Sequence, residues 1–510
     1  MSLNNVNDVE RMQQQQQKKL EFIEAIIAGL KDRTRCYFAE DSDIFKQCEN
    51  DMGNTHRPAK PDCVCLVLDE AEVQNCVRTC LRFKKACVAR GAGTGLEGGC
   101  VAYEGGCVCD LRHMKRIVDV DVMQRIAIVE AGVLKNELNA YLSAYGFVFG
   151  PDPSSNPTIG GMASTGGSGL STLKYGTSKE NVVALRVVTA NGDIIDTRKP
   201  VRKNSTGYEL NSLYLGAEGT LGIITRLTVK LFSKPRTRVG AVVQFLTVKE
   251  AAECVVEARN ANLETLLRCE MLNKEGVQVS NVVFKTNMIE MPTLFLEFVD
   301  SKEPNDGGFA RTNEDYNTFL RIAKRKNANM KTLKFAKNAD ELDEIWEARR
   351  GCYLGAMRYR GLQLGTHKKE KVYVGDVCVP IAKLSESITN AEKLFKEANF
   401  PCVMCCHIAD GNYHCLIPFN DANEKELHEL EDKLVNAAIA VGGVASGEHG
   451  VGVGKMKHII REHGPAHIAI QRSIKRALDP HNIMNPNKII SWNASDLEKE
   501  MILLDHSSKL

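Results

Sequence analysis

The sequence predicts an α+β protein with two principal domains, and three observations carry that prediction. From Pro61 onward, short apolar runs of strand length alternate with windows of helical spacing. Ser233-Lys234-Pro235 interrupts the pattern, and beyond it helices separate strands that return in an antiparallel-looking order. The length of 510 residues leaves room for about three units at a typical domain size of about 150 residues.

Taken in order, residues 19–32 are expected to form an amphipathic helix, because Leu20, Phe22, Ile23, Ile26, Ile27 and Leu30 recur at helical spacing. A polar, irregular stretch follows through Lys60. Residues 63–68 read as a strand, 70–83 as a helix and 86–89 as a second strand; 108–111, 126–129, 182–189 and 221–231 continue the strand pattern. Past residue 235, strands at 239–246 and 293–298 are separated by helices such as 249–260 and 339–350. A last helix near 467–478 leads into Asp479-Pro480 and Asn485-Pro486.

Composition narrows the function classes. Lys plus Arg number 66 against 64 Asp plus Glu, a formal charge of +2, which argues against a nucleic-acid or membrane-surface binder. With 43% hydrophobic and 25% charged residues the chain has the composition of a globular protein. No run of about 18 apolar residues is present, so no membrane span is expected. The first 19 residues lack both a secretory apolar core and an Arg-rich transit pattern. Many of the 18 cysteines lie in apolar, strand-like text, which reads as buried thiols in a reducing compartment. Cys402 and Cys405 form one CxxC, but no second pair completes a zinc array. The chain ends Ser508-Lys509-Leu510, a receptor-read address for peroxisomes or glycosome-type organelles.

The glycines are clustered. Of 40, seven lie in 91–107, thirteen in 146–222 and six in 442–454, a distribution that suggests backbone brought close to a large ligand. The first cluster contains GxGxxG at Gly93, Gly95 and Gly98, but the long helix that a Rossmann site requires does not follow. A loop of backbone N–H groups can still cradle a pyrophosphate. The third cluster ends Gly454-Lys455, yet His449 and Met456 break the P-loop pattern, so nucleoside triphosphate hydrolysis is not expected. The middle cluster runs from Gly150-Pro151-Asp152-Pro153 through Thr158 to Gly169, and Gly216 to Ile224 follows it.

In this order the clusters resemble the FAD-binding domain of the vanillyl-alcohol-oxidase (PCMH-type) flavoprotein superfamily, from about residue 61 to 489. Seven segments resemble the cytochrome-linked, FAD-dependent D-lactate dehydrogenases within it: GTGLEGG (93–99), AEGTLGIIT (217–225), PTLFLEF (292–298), DVCVPI (376–381), HIADGNYH (407–414), GEHGVGVGK (447–455) and NPNK (485–488). The resemblance implies a two-subdomain PCMH-type FAD-binding domain over 56–235 and an α+β cap with an antiparallel sheet over 236–460. A helical arm (1–55), a segment returning to the FAD domain (461–490) and a tail (491–510) complete the expected division. It also implies that Arg90, Gly91, Ala92, Gly93, Thr94, Gly95 and Leu96 wrap the FAD pyrophosphate. Pro151, Asp152, Ser154, Gly160, Gly161, Ser164 and Gly167, with Glu218, Gly219, Gly222, Ile223 and Asn485, would supply the remaining contacts. Relatives that attach FAD covalently use a His in the first loop; Ala92 and Thr94 stand here without one, so dissociable FAD is expected.

His407 and His414 flank Asp410-Gly411, a turn signal between two apolar runs. On a hairpin their Cβ atoms would lie about 4.5–5.5 Å apart across the strands, and both imidazoles could reach one metal at about 2.0–2.1 Å. Glu448, from a glycine-flanked loop, is the expected third ligand; two His and one carboxylate leave positions open for substrate. The residues alone equally suit polar groups around a turn. The resemblance implies a divalent metal here, and zinc, manganese and iron all suit the donors. It further implies that His449 is the base and that Arg349 holds the substrate carboxylate. Arg349 ends an apolar-faced helix (Leu342, Ile345, Trp346), where a solvated helix-end charge is the alternative and Arg350 is a neighbour. Relatives that oxidise D-2-hydroxyglutarate carry a Lys where this chain has Val374. That favours a monocarboxylic acid, although Lys369 or Lys371 offers a substitute. The expectation is oxidation of a small D-2-hydroxy acid, D-lactate first, to the 2-oxo acid, with an unidentified electron acceptor. A peroxide-producing oxidase of glycolate or another D-2-hydroxy acid and a D-2-hydroxyglutarate dehydrogenase are the alternatives. A non-enzymatic flavin-fold scaffold is disfavoured, because none of the five key positions is damaged.

Overall fold

A computed structural model describes residues 3–40, 42–336, 338–359, 361 and 370–494. The first helix spans Leu3–Ala28, starting well before residue 19. The Gln13–Gln17 run consists of good helix formers, so propensity extends the helix beyond its apolar stripe. It stops at Gly29, where the Gly29 and Leu30 amides close tight bonds to Ile26 O and Ile27 O (3.2 and 3.1 Å). Phe22, Ile23, Ile26 and Ile27 are buried in the first core, and Phe22 meets Phe83 of the helix Glu70–Phe83 edge-on at 5.7 Å. Phe22→Ala is expected to destabilise this half by about 3–5 kcal/mol, checked by the denaturant midpoint of unfolding.

Strands Cys36–Tyr37, Cys63–Leu66, Cys107–Asp110 and Cys87–Arg90 form a four-stranded sheet in that order, the last three mutually parallel. Asp69 caps the crossover helix Glu70–Phe83 by accepting from the Glu72 amide. No helix follows strand Cys87–Arg90; turns and bends fill residues 91–106. The glycine loop therefore sits at the carboxyl end of a parallel strand, where α/β sheets commonly bind ligands. A second, antiparallel sheet has the order Ile117–Asp121, Ile126–Glu130, Gly222–Lys230, Val182–Thr189, Ile194–Asp196. The chain returns to the first sheet near its end: Met484 bridges Cys87, and the Cys87 amide donates to Ile483 O at 2.7 Å.

From Thr237 onward the chain builds a seven-stranded antiparallel sheet. Its order is Lys334–Ala336, Thr237–Gln244, Thr293–Asp300, Leu266–Leu272, Val403–His407, Asn412–Phe419, Lys371–Cys378. Alternation along the strands sends Met404, Cys406, Tyr413 and Val377 to a core shared with helices Val248–Asn260, Leu384–Glu397 and Glu424–Ala440. The opposite face carries Val374, Cys405 and Leu416, and with them His407, His414, Glu270 and Asp376. No described helix is long and apolar enough to cross a membrane.

Candidate active site

A cleft of about 310 Å³ lies between the glycine loops and the polar end of the seven-stranded sheet. Gly93 O and Gly95 O accept from the Met52 and Gly53 amides (3.0 and 3.2 Å), which pins the loop. Among the described residues, the amides of Gly91 to Gly95 donate to no protein acceptor. A row of unspent N–H groups on a cleft wall is an anion cradle, the chemistry a pyrophosphate needs. Gly91 packs so closely that a Cβ would fall 2.3 Å from Thr158 Oγ1. The third cluster reaches the same wall: Glu218 accepts from the Val451 and Gly452 amides (2.6 and 2.9 Å), and Val453 N donates to Glu97 O at 2.8 Å. A Cβ on Gly452, at φ +48°, would lie 1.9 Å from Glu97 O, so only glycine fits there.

At the other end, His407 Nε2 and His414 Nε2 each lie 3.1 Å from Glu448 Oε1. Their rings are 5.1 Å apart and nearly perpendicular. The register differs from a two-residue hairpin. Ile408–Asp410 forms a 3-10 turn closed by Gly411 at φ +77°, so His407 pairs with Asn412 and His414 with Cys405. The imidazoles are diagonal neighbours on one face, and their length still brings both to Glu448. Each is backed by a carboxylate from the adjacent strand. Glu270 Oε1 lies 2.8 Å from His407 Nδ1, and Asp376, paired in register with His414, places Oδ1 3.5 Å from His414 Nδ1. The Glu270 hydrogen bond fixes the His407 tautomer and aims its Nε2 at the shared point, whereas His414 Nδ1 makes no hydrogen bond among the described residues and only faces Asp376. Burial opposes charge on His407, but Glu270 and Glu448 hold its pKa well above the ordinary imidazole value. Glu448 is also buried, yet His407 and His414 hold its carboxyl far below the usual range, and Ser168 Oγ donates to its other oxygen. The pocket between two carboxylates and two imidazoles is thus arranged to stabilise positive charge, and its three donor atoms fit a divalent cation.

Asp376 organises the loop that delivers Glu448. Its Oδ2 accepts from the Glu448 and His449 amides (3.0 and 2.9 Å) and from Ser446 Oγ (2.9 Å), with Lys455 Nζ at 3.4 Å. Burial alone would raise its pKa, but His449, Lys455 and His414 hold it far below the carboxylate range. His449 stacks on His414 with centroids 4.8 Å apart, and its Nδ1 lies 3.6 Å from Asp376 Oδ2. Burial pushes the His449 pKa down to about 4, against the opposing pull of Asp376. Arg349 is 4% exposed, which excludes a solvated helix-end charge; Arg350 is the exposed one of the pair. Its Nε and Nη2 donate to Glu270 Oε2 (3.0 and 2.7 Å), so one carboxylate holds both Arg349 and His407. Among the described residues Nη1 has no protein acceptor, and the side chain lines the cleft.

The structure brings Arg90, Gly91, Ala92, Gly93, Thr94, Gly95, Leu96, Ser154, Gly160, Gly161, Ser164, Gly167, Glu218, Gly219, Gly222 and Ile223 to the same cleft as Arg349, His407, His414, Glu448 and His449. Arg90 does so beside a guanidinium committed to Gln47 O and Asn50 O (2.7 and 3.1 Å). Three expected residues stand elsewhere. Asp152 is paired with Arg268 and accepts from the Ser171 amide, and Pro151 is buried beside it. Asn485 lies behind the wall, where its Nδ2 ties Gly99 O to Glu218 O (2.8 and 2.7 Å). Sequence reasoning missed Glu270 and Ser168, and read Asp376 only as part of a motif; a charged residue inside the apolar strand text of 266–272 and 371–378 was the available signal. Lys371 is exposed, Lys369 lies outside the described residues, and Val374 lines the cleft.

Comparisons with known proteins agree with this architecture. Residues 61–198 match the family described as FAD binding domain, and 234–489 match FAD linked oxidases, C-terminal domain. The chain is 35% identical over 437 residues to D-lactate dehydrogenase [cytochrome], mitochondrial, of Arabidopsis thaliana, covering 84% of this chain and 73% of that protein. It is 34% identical over 453 residues to a probable mitochondrial D-lactate dehydrogenase of Danio rerio, covering 88% of each. The solved structure of p-cresol methylhydroxylase shares the fold at TM-score 0.71 and 15% identity, over 94% of this chain and 98% of that one. The chain is therefore a member of the FAD-linked oxidase family of PCMH-type fold, an FAD-dependent oxidoreductase related to the D-lactate dehydrogenases.

Proposed function

We propose that the protein oxidises a small D-2-hydroxy acid, D-lactate first, to the 2-oxo acid. Dissociable FAD would lie along the glycine loops, with one divalent metal (zinc, manganese or iron) on His407, His414 and Glu448. The observation that carries this reading is the convergence of both Nε2 atoms on Glu448 Oε1, at 3.1 Å each, in the cleft walled by the unspent amides of 91–95. When bound, FAD supplies the two-electron acceptor and the metal a Lewis acid toward the substrate hydroxyl. The remaining work belongs to the chain. Arg349, fixed by Glu270, presents Nη1 to the substrate carboxylate in a charge-assisted bond. His449, neutral near pH 7 because burial holds its pKa at about 4, accepts the hydroxyl proton at a ring nitrogen. Asp376, 3.6 Å from Nδ1, stabilises the imidazolium as it forms. Val374 and Leu416 add apolar surface to the cleft, which suits a monocarboxylic acid, and Arg350 is a further cation among its described lining residues.

The reading predicts yellow protein whose visible flavin absorbance bleaches anaerobically with D-lactate and not with L-lactate. A panel of D-2-hydroxy acids including glycolate ranks the substrates, and reoxidation by oxygen, cytochrome c and quinone analogues identifies the acceptor. No bleaching by any D-2-hydroxy acid would sink the proposal. Glu270→Gln is expected to lower metal affinity or turnover about 10–100-fold, read by metal titration beside steady-state rates. Delivery to a peroxisome or glycosome-type organelle is proposed from Ser508-Lys509-Leu510, which lies outside the described residues.

A further inference from the structure

The first sheet holds a second concentration of metal-ligand side chains, far from hydroxy-acid chemistry in character. Its three parallel strands begin Cys-Val-Cys (63–65), Cys-Val-Ala (87–89) and Cys-Val-Cys (107–109). They pair so that Cys63 and Cys87 both lie opposite Cys107, and Cys65 lies opposite Cys109. Alternation puts Val64, Val88 and Val108 in an apolar layer with Phe45, and turns the sulfurs toward the other core. Helix Glu70–Phe83 adds Cys76 and Cys80 one turn apart, and Cys36 pairs with Cys65 on the edge strand. Eight thiols, Cys36, Cys63, Cys65, Cys76, Cys80, Cys87, Cys107 and Cys109, are buried in that core, and every cysteine of the chain is free. Cys65 Sγ lies 3.5 Å from Cys36 Sγ and 3.7 Å from Cys107 Sγ. Two sets of three converge on Cys65: Cys36-Cys63-Cys65 and Cys65-Cys76-Cys107, each with its sulfurs within 4.8 Å of one another.

Metal–sulfur bonds of about 2.3 Å place the sulfurs about 3.8 Å apart in a tetrahedral site and about 4.0 Å apart in a trigonal one, close to the 3.7 Å between Cys65 and Cys107. Packing requires apolar volume on this face, but it does not require sulfur at all the inward positions of three adjacent strands except Ala89. We propose that this layer is a thiolate site for one thiophilic d10 cation, Cu(I) or Zn(II), with Cys65, Cys76 and Cys107, the set whose sulfurs lie within 4.8 Å of one another, as its ligands. An all-sulfur set selects soft cations over the hard ones that oxygen donors hold. All three ligand residues are fully buried, so the ion is closed to substrate and its role is structural, joining the sheet to its crossover helix. Each ligating thiol releases its proton as its metal–sulfur bond forms, and the metal keeps its oxidation state.

The test is X-ray absorption at the zinc and copper edges, with metal stoichiometry, on flavin-loaded protein from cells supplied with both metals. The wild type is expected to show sulfur scattering at about 2.3 Å at one edge, which identifies the ion. Cys65→Val, and independently Cys76→Ala on the helix, should each lose that shell and about one equivalent of metal, with flavin content unchanged to report folding. Nitrogen and oxygen ligands at the His407 site give a different scattering shell, so the two sites are read separately. Only nitrogen and oxygen scattering at both edges, or a sulfur shell unchanged in both variants, would overturn the proposal.

Discussion

His407→Ala is expected to lose the metal proposed for the catalytic site and about 10³-fold or more in kcat/KM, with flavin still bound. The size follows from the several kcal/mol a Lewis acid contributes to transition-state charge, at about 1.4 kcal/mol per tenfold. The separation of effects follows from position. His407 ends strand Val403–His407 of the seven-stranded sheet, whereas the proposed flavin cradle is backbone of residues 91–95, pinned by Met52 and Gly53. Its removal leaves Glu270 paired with Arg349, so the carboxylate is not stranded. Metal analysis, flavin content and steady-state rates on one preparation check the result. Coordinate loss of flavin would show that the two halves of the cleft are not independent.

His449→Gln should lower kcat by about 10²–10⁴-fold, the range for a positioned general base, while metal and flavin contents stay at wild-type levels. Glutamine keeps a polar side chain beside His414 but cannot accept the proton. KM for D-lactate is expected to change little, because Arg349 and its partner Glu270 are untouched. A large rise in KM with kcat preserved would instead make His449 a binding group.

Much of this arrangement was legible in the sequence, for physical reasons that differ by element. Strand Val182–Thr189 and helices Glu70–Phe83 and Ala339–Arg350 match their expected bounds, because period and capping signals agree there. The first helix was read too short because its Gln-rich start carries no apolar stripe. The histidine hairpin was located, but its register was not: Asp410-Gly411 signals a bend, and nothing local says that Ile408 to Gly411 all belong to the turn. Residues far apart in sequence that the motif order grouped together line one cleft. Pro151, Asp152 and Asn485 do not line the cleft; Asp152 pairs with Arg268, and Asn485 ties Gly99 O to Glu218 O behind the wall. Glu270 escaped because its role depends on long-range pairing. It follows Cys269 and precedes Met271, and only the pairing of Met271 with Cys406 sets it opposite His407.

The most direct test of the account is anaerobic single-turnover reduction of the bound flavin by D-lactate, measured on native, metal-depleted and metal-restored protein. Reduction is expected in the native protein, its loss on metal removal with flavin retained, and its recovery when a divalent cation is returned. Reduction at the native rate after the metal is gone would contradict it.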